Sequence, residues 1–367
     1  YILKKVTHEN MKNDDVITYV TSIVNKFLIK GNVLCIQPYG EGHINQTFLV
    51  KTTKADYILQ KISLSAFPNV DMLMANINIA TQFLRNKDIE TLDIIFSKKG
   101  ELVVHEKNDA FRIYKFFNNS VCYQSLQDYE QIEEGASAFG QLHKNLADLD
   151  LASLGEIIPQ FHDTKKRYSD FQAACEIDKI GRLEKCTKEA QAINDLSSYY
   201  RLIVDAIEEG SVKLHATHND PKINNVLFDK DTNKVKCVID LDTIMPGSVL
   251  YYFGDAHRSL FIGSHEDDKN LNNIKVDLEI YRSYLKGYYK EAKDFLTPRE
   301  IDLLPMSPFL LSIECGMRFL EDYLKGDVYF HTDYPDHNLV RARTQIRLAQ
   351  IILSKQNEMK EITKEII

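Results

Sequence analysis

The sequence predicts an α+β fold in two lobes, a small antiparallel sheet with one helix over residues 1–117 and a larger helical lobe over 118–367. Three observations predict it. Short runs rich in Val, Ile, Leu, Phe and Tyr at 33–38, 47–52, 57–62, 93–97, 101–105 and 111–117 alternate with Gly, Asn, Asp and Lys, the pattern of strands and turns. From Tyr129 onward, apolar residues recur at helical intervals. Hydrophobic residues make up 44% of 367 positions, enough to bury a sizeable core.

In chain order, Val70, Leu73, Met74, Ile77 and Phe83 put a helix at 70–85 within the sheet-rich part. The lobe boundary is expected near Phe117–Ser120. Ile132, Ala136, Phe139, Leu142, Leu146 and Leu149 mark the first long helix, and further helices are expected at about 186–209, 276–295 and 339–365. Thr297-Pro298-Arg299-Glu300 is a helix start in which Thr297 and Glu300 form a capping box. Strands at 213–216, 225–228 and 235–239 interrupt the helices, the last two joined as a hairpin through Asp229–Lys234.

Composition narrows the function. With 45 Lys+Arg against 53 Asp+Glu the net charge is −8, which argues against phosphate-driven nucleic-acid binding. No run approaches the 18 or so apolar residues of a membrane span, and no basic-then-apolar leader is evident, so neither a membrane helix nor a secretory signal is expected. The six cysteines form no Cys-x-x-Cys pair and mostly have apolar neighbours, as reduced thiols of a cytoplasmic protein would.

The densest chemistry lies in His218-Asn219-Asp220-Pro221-Lys222-Ile223-Asn224-Asn225, followed by an apolar strand ending Asp240-Leu241-Asp242. Phosphoryl transfer needs a positioned hydroxyl and neutralised phosphate charge rather than covalent catalysis. A carboxylate can orient the hydroxyl, and carboxamide and carboxylate oxygens suit magnesium, a hard ion. A second motif, Tyr39-Gly40-Glu41-Gly42-His43-Ile44-Asn45, lies between two strands, where glycines let backbone amides approach phosphate. No helix follows it, so it is neither a Walker loop nor a dinucleotide fingerprint.

This spacing resembles the His-x-Asp-x-x-x-x-Asn loop and following Asp of the protein kinase-like superfamily, in its aminoglycoside phosphotransferase and choline kinase branch. The resemblance implies a bilobal kinase-like fold using ATP and Mg2+, with Asp220 as catalytic base, Lys222 beside the transferring phosphate, and Asn225 and Asp240 as metal ligands. It implies nucleotide contacts from Gly40, Gly42, His43 and Asn45, a strand cation at Lys61, and backbone groups of the lobe-joining segment around Tyr114 and Phe116. Alternation puts Gln60 and Lys61 on opposite faces, and the sequence leaves open which faces the nucleotide. The helix at 70–85 carries Asp71 as its only acid, where the superfamily's lysine partner is a mid-helix glutamate.

Longer strings resemble the N-acetylhexosamine 1-kinases: Gly42-His43-Ile44-Asn45, Tyr57-Ile58-Leu59-Gln60, Ile239–Gly247, Phe253-Gly254-Asp255-Ala256-His257-Arg258, and Arg318–Phe330. They imply a small-molecule sugar substrate, phosphorylated at its anomeric hydroxyl, with Arg318 and Tyr329 as sugar contacts and His162 and Asp163 as weaker ones. Glu314, one helical turn before Arg318, can orient it, and Asp255 with Arg258 reads as a supporting ion pair. The competing readings keep the fold and change the acceptor to an aminoglycoside, choline or an amino-acid alcohol, or make the chain a nucleotide-binding scaffold without turnover. His143 reads as a packing histidine and Asp229–Lys234 as a turn, since Lys234 stands where a calcium loop needs Gly.

Overall fold

The computed structural model describes residues 13–40, 44–123, 128–261 and 265–367. In chain order its elements are α1 (Asn13–Val24), β1 (Val33–Pro38), β2 (Gln46–Thr52), β3 (Asp56–Ile62), α2 (Val70–Arg85), β4 (Ile94–Ile95), β5 (Val104–Glu106), β6 (Asp109–Lys115) and β7 (Ser120–Val121). There follow α3 (Tyr129–Leu146), α4 (Thr164–Ile177), α5 (Thr187–Asp195), α6 (Leu202–Glu208), β8 (His215–Thr217), β9 (Val226–Asp229), β10 (Val235–Val238), β11 (Met245–Gly247) and α7 (Val249–Phe261). The chain ends with α8 (Leu278–Ala292), α9 (Pro298–Leu303), α10 (Ser307–Lys325), α11 (His337–Ser354) and α12 (Gln356–Ile366). Two compact units are formed, one from Tyr1–Cys122, Asp148–Ile157 and Val226–Met245, the other from Tyr123–Ala147, Ile158–Asn225 and Pro246–Ile367.

The first unit holds an antiparallel sheet in the order β1-β2-β3-β6-β4, with β5 also on β6. Gln60 lies opposite Arg112 and Lys61 opposite Phe111. Because side chains alternate, Tyr57, Leu59, Phe111 and Ile113 share one face, which packs with Phe48 and Val50 on Val20, Ile23, Val24 and Phe27. Gln60, Arg112 and Tyr114 project from the other face, and Arg112 meets Met74 of α2. Helix α2 occupies the expected residues, capped by Asn69 accepting from the Met72 N–H. The β9–β10 hairpin pairs with β7 and belongs to this unit too. Its connection is a turn in which Asp229 accepts from the Asp231 and Thr232 amides.

The second unit is helical. Helices α3 and α8 cross in close contact through small residues: a Cβ on Gly287 would lie 2.0 Å from the Glu133 carbonyl oxygen, and one on Gly140 2.8 Å from that of Tyr288. His143 of α3 is buried and bonds the Tyr288 hydroxyl at 2.9 Å, the packing role expected of it. Helix α10 packs against α4, α7 and α11 and is buried nearly all round, as its apolar character requires. The helical run Pro298–Lys325 is long and apolar enough to cross a membrane by composition alone, but 83% of its apolar window is buried inside the protein. The Thr297–Glu300 capping box is present as expected, and Glu300 also accepts from the Lys213 amide and bonds His215.

Two expected helices are broken. The one at 186–209 splits at Leu196–Arg201, where the Tyr200 hydroxyl donates to the Ile193 carbonyl and Ser197–Tyr199 tightens into a 3₁₀ turn. The one at 339–365 breaks at Lys355, beside which the Gln356 amide donates to Pro305. Helices α1, α4 and α7 occupy stretches where no element was expected.

Candidate active site

Within the second unit, β8 leads into the loop carrying Asp220. His218 is fully buried, edge-on to Phe139 of α3 at 5.5 Å, and its Nδ1 accepts the Asp220 N–H at 3.3 Å. Asn219 takes the left-handed conformation at φ 59° and folds onto Thr217, accepting from Oγ1 at 2.8 Å and donating to the carbonyl at 3.0 Å. Gly247 is required beside them, since a Cβ there would come within 2.4 Å of Thr217 Oγ1. After Pro221, Lys222 Nζ reaches Asp220 Oδ1 at 3.1 Å. The Asn225 amide nitrogen donates to the Asp220 carbonyl at 2.9 Å. Asp220, Lys222 and Asn225 are therefore gathered on one short turn.

That turn suits a hard cation. Asn225 spends its amide nitrogen on Asp220, which leaves its carboxamide oxygen, an atom of the type magnesium prefers. Asp240 belongs to the first unit, just past β10, in the left-handed conformation at φ 58°.

Around Asp240 the first unit builds a buried polar cluster. Arg112 Nη1 lies 2.5 Å from Asp242 Oδ1, its Nε donates to Gln60 Oε1 at 2.9 Å, and its guanidinium lies 5.1 Å from the Tyr114 ring centre. Burial opposes the charge on Arg112, but Asp242, and more weakly Asp240, outweigh it and hold the group protonated. Asn45 joins this cluster, donating to Asp242 Oδ2 at 2.7 Å and accepting the Ser63 N–H at 3.0 Å.

Lys61 is on the opposite face, paired with Asp109 at 2.7 Å. The face beside Asp242 is therefore that of Gln60, and its cation is Arg112. Asp71 of α2 is taken by His105 at 3.0 Å. Gly40 sits in the β1–β2 connection at φ 74°, and the Tyr39 N–H closes that connection on the Thr47 carbonyl. Gly42 and His43 lie outside the described residues. Tyr114 is paired with Ile58 and Ile94 inside the sheet, and the Phe116 N–H is spent on the Asp56 carbonyl. The Phe116 amide is thus committed to the sheet, not offered to a base.

The acceptor candidates lie in the second unit. The Arg318 guanidinium lies 5.9 Å from the Tyr329 ring centre and 5.5 Å from that of Phe330. Tyr329 is 73% exposed, on a loop that buried Asp322 holds by accepting the N–H groups of Val328, Tyr329 and Phe330. Glu314 bonds His162 Nδ1 at 3.0 Å rather than serving Arg318. Asp163 caps α4 by accepting the Lys166 N–H, a structural use of the carboxylate. Asp255 and Arg258 form the expected ion pair at 2.5 Å; burial would raise the Asp255 pKa, but Arg258 holds it below the usual value. Sequence reading missed the roles of Arg112, Asp242 and Asp322. An arginine inside the apolar run of β6 was the available signal for the first.

Several solved structures share this architecture. A microcompartment-associated aminopropanol kinase is 16% identical with a TM-score of 0.63, covering 94% of this chain and 98% of its own. A spectinomycin phosphotransferase, in complex with ADP and spectinomycin, is 11% identical with a TM-score of 0.58, covering 92% and 98%. The ethanolamine kinase of Plasmodium vivax is 16% identical with a TM-score of 0.58, covering 94% and 92%. At these identities the likeness is one of fold. Residues 36–287 match the phosphotransferase enzyme family, APH, and this chain belongs to it.

Proposed function

We propose that the protein is an ATP-dependent small-molecule kinase that phosphorylates the anomeric hydroxyl of an N-acetylhexosamine. The observation that carries the kinase reading is the turn on which Asp220, Lys222 and Asn225 converge. In this reading Asp220 orients the acceptor hydroxyl and takes its proton as the phosphoryl group leaves ATP. An anomeric hydroxyl is more acidic than an ordinary alcohol, which suits a carboxylate base. Lys222, paired with Asp220 at rest, is the mobile cation for the transferring phosphate. Asn225 in the second unit and Asp240 in the first are each proposed to offer an oxygen of the kind magnesium prefers, and magnesium when bound would supply charge neutralisation at the phosphates.

The acceptor class rests on Arg318. Its guanidinium already occupies the aromatic pair Tyr329 and Phe330, so this surface disfavours a second cation and suits a neutral, hydroxyl-rich acceptor. A cationic amino alcohol is the second reading, favoured by the likeness to aminopropanol and ethanolamine kinases. The test is product analysis with ATP, magnesium and a panel of N-acetylhexosamines, other hexoses, choline, ethanolamine, aminopropanol and aminoglycosides. The sugar reading expects a 1-phosphate from N-acetylglucosamine or N-acetylgalactosamine. Phosphate appearing only on an amino alcohol, or on a non-anomeric sugar oxygen, overturns it.

A further inference from the structure

Resting on the kinase reading, we infer that Arg112 is a positioning residue for the nucleotide's metal, acting through Asp242, which anchors both the Asp240 segment and Asn45. The side chain is 1% exposed and its charge is spent indoors: Asp242 Oδ1, Gln60 Oε1 and the Tyr114 ring surround it. It therefore acts through its partners rather than on a ligand. Asp242, 4% exposed, divides its two oxygens, one to Arg112 and one to the Asn45 amide at 2.7 Å. Asn45 in turn accepts the Ser63 N–H just past β3. The chain of contacts thus runs from β6 to the segment after β10, on to Asn45 ahead of β2, back to the end of β3, and through Gln60 to β6 again.

The ring matters because of where Asp240 sits. Its left-handed backbone is unfavourable for a residue with a Cβ, so the segment needs an anchor, and Asp242 two positions on is that anchor. A charge buried in an apolar strand is retained only when paired and hydrogen-bonded, and a guanidinium fork serves Gln60 and Asp242 at once where a lysine offers one point charge. Groups that orient a metal carboxylate or its neighbours are worth about 10–100-fold in metal affinity.

The test is calorimetric titration of ADP into the full chain, with and without Mg2+, for wild type, Arg112→Lys, Asn45→Ala and the double variant. The expected result is that each single variant loses about tenfold of the magnesium-dependent gain in ADP affinity, by the same outer-shell magnitude. For Arg112→Lys, metal-free ADP binding should stay within about twofold of wild type, and the double variant should lose no more of the magnesium-dependent gain than the poorer single one, as members of one network behave. An equal loss with and without Mg2+, or an unchanged gain in both variants, overturns the inference. If Arg112→Lys does not fold, Asn45→Ala decides through the magnesium-dependent gain alone, since Asn45 is half-buried and its side chain donates to Asp242. Wild type failing to bind ADP would overturn both this inference and the kinase reading, whereas wild type binding normally with unaffected variants overturns this inference alone.

Discussion

The Asp220 backbone donates its N–H to Nδ1 of His218 at 3.3 Å, so a fully buried imidazole fixes the start of the turn that carries the proposed base. The ring packs edge-on against Phe139. His218→Phe keeps the packing and removes the acceptor. The expected outcome in steady-state assays is a fall in kcat of about 10²-fold, the scale of a misplaced reacting group, with ADP affinity kept. Asp220→Asn should abolish turnover while also keeping ADP affinity. Normal kcat in either variant would remove its residue from the mechanism.

Asp322 supports the proposed acceptor contacts in a comparable way. Its carboxylate accepts three consecutive backbone N–H groups and the Asn338 amide, which shapes the loop presenting Tyr329. Hydrogen bonds to a charged group contribute about 1.5–3 kcal/mol each, so Asp322→Ala should unfold the loop before it unfolds the protein. The prediction is a KM for the acceptor raised at least tenfold, about 1.4 kcal/mol, with KM for ATP within a factor of two. Equal rises in both constants would assign Asp322 a general structural role instead.

The fold was legible where local pattern and tertiary need agree. Residues 70–85 carry both an apolar stripe and a capping Asn69, and 297–300 carry a complete capping box; both appear as read. The strands failed to reveal their pairing, because alternation assigns faces but not which face meets which helix. Lys61 illustrates this: its strand was found, but Phe111 opposite it belongs to the core under α1, and the lysine is paired with Asp109. The hairpin at 226–238 pairs with β7, a partner far away in sequence that no local signal encodes. That Asp220, Lys222 and Asn225 lie together could be read because one turn holds all three, whereas Arg112 and Asp242 meet only through the fold.

Two buried histidines predict acid sensitivity. Burial pushes His143 well below its ordinary value, with His215 and His218 adding to the effect, and it pushes His257 down to about 3 against the hydrogen bond to the Phe253 carbonyl. Both are neutral in the native state, while in the unfolded chain they titrate near 6.5. Between those limits the unfolded state binds more protons, so stability rises with pH there. Their contribution is complete above about pH 6.5 and is lost as pH falls toward the native values, by up to about 1.4 kcal/mol per pH unit for each histidine. Melting temperatures should therefore change little above about pH 6.5 and fall steadily from there to pH 5, and His257→Phe, among Phe253, Phe261, Tyr281 and Tyr284, should flatten that decline. An identical slope in the variant would place the acid sensitivity elsewhere.

Gly287 makes the sharpest packing prediction. Helix α8 approaches α3 so closely there that an added Cβ would sit 2.0 Å from the Glu133 carbonyl oxygen, and backbone cannot swing aside as a flexible side chain would. In an ordinary exposed helix position, Gly→Ala stabilises by about 0.5–1 kcal/mol through propensity. Here the helices must separate, and overpacking typically costs about 1–3 kcal/mol. The two effects oppose, and at 2.0 Å the clash wins. Gly287→Ala should lower the denaturant midpoint with an unchanged slope of the unfolding transition. Gly181→Ala is a comparison of a different kind: nothing lies within 4 Å of its Cβ position, but φ is 68°, so its cost is conformational alone and should be the smaller. If Gly287→Ala proved as stable as wild type, the close crossing of α3 and α8 would be refuted.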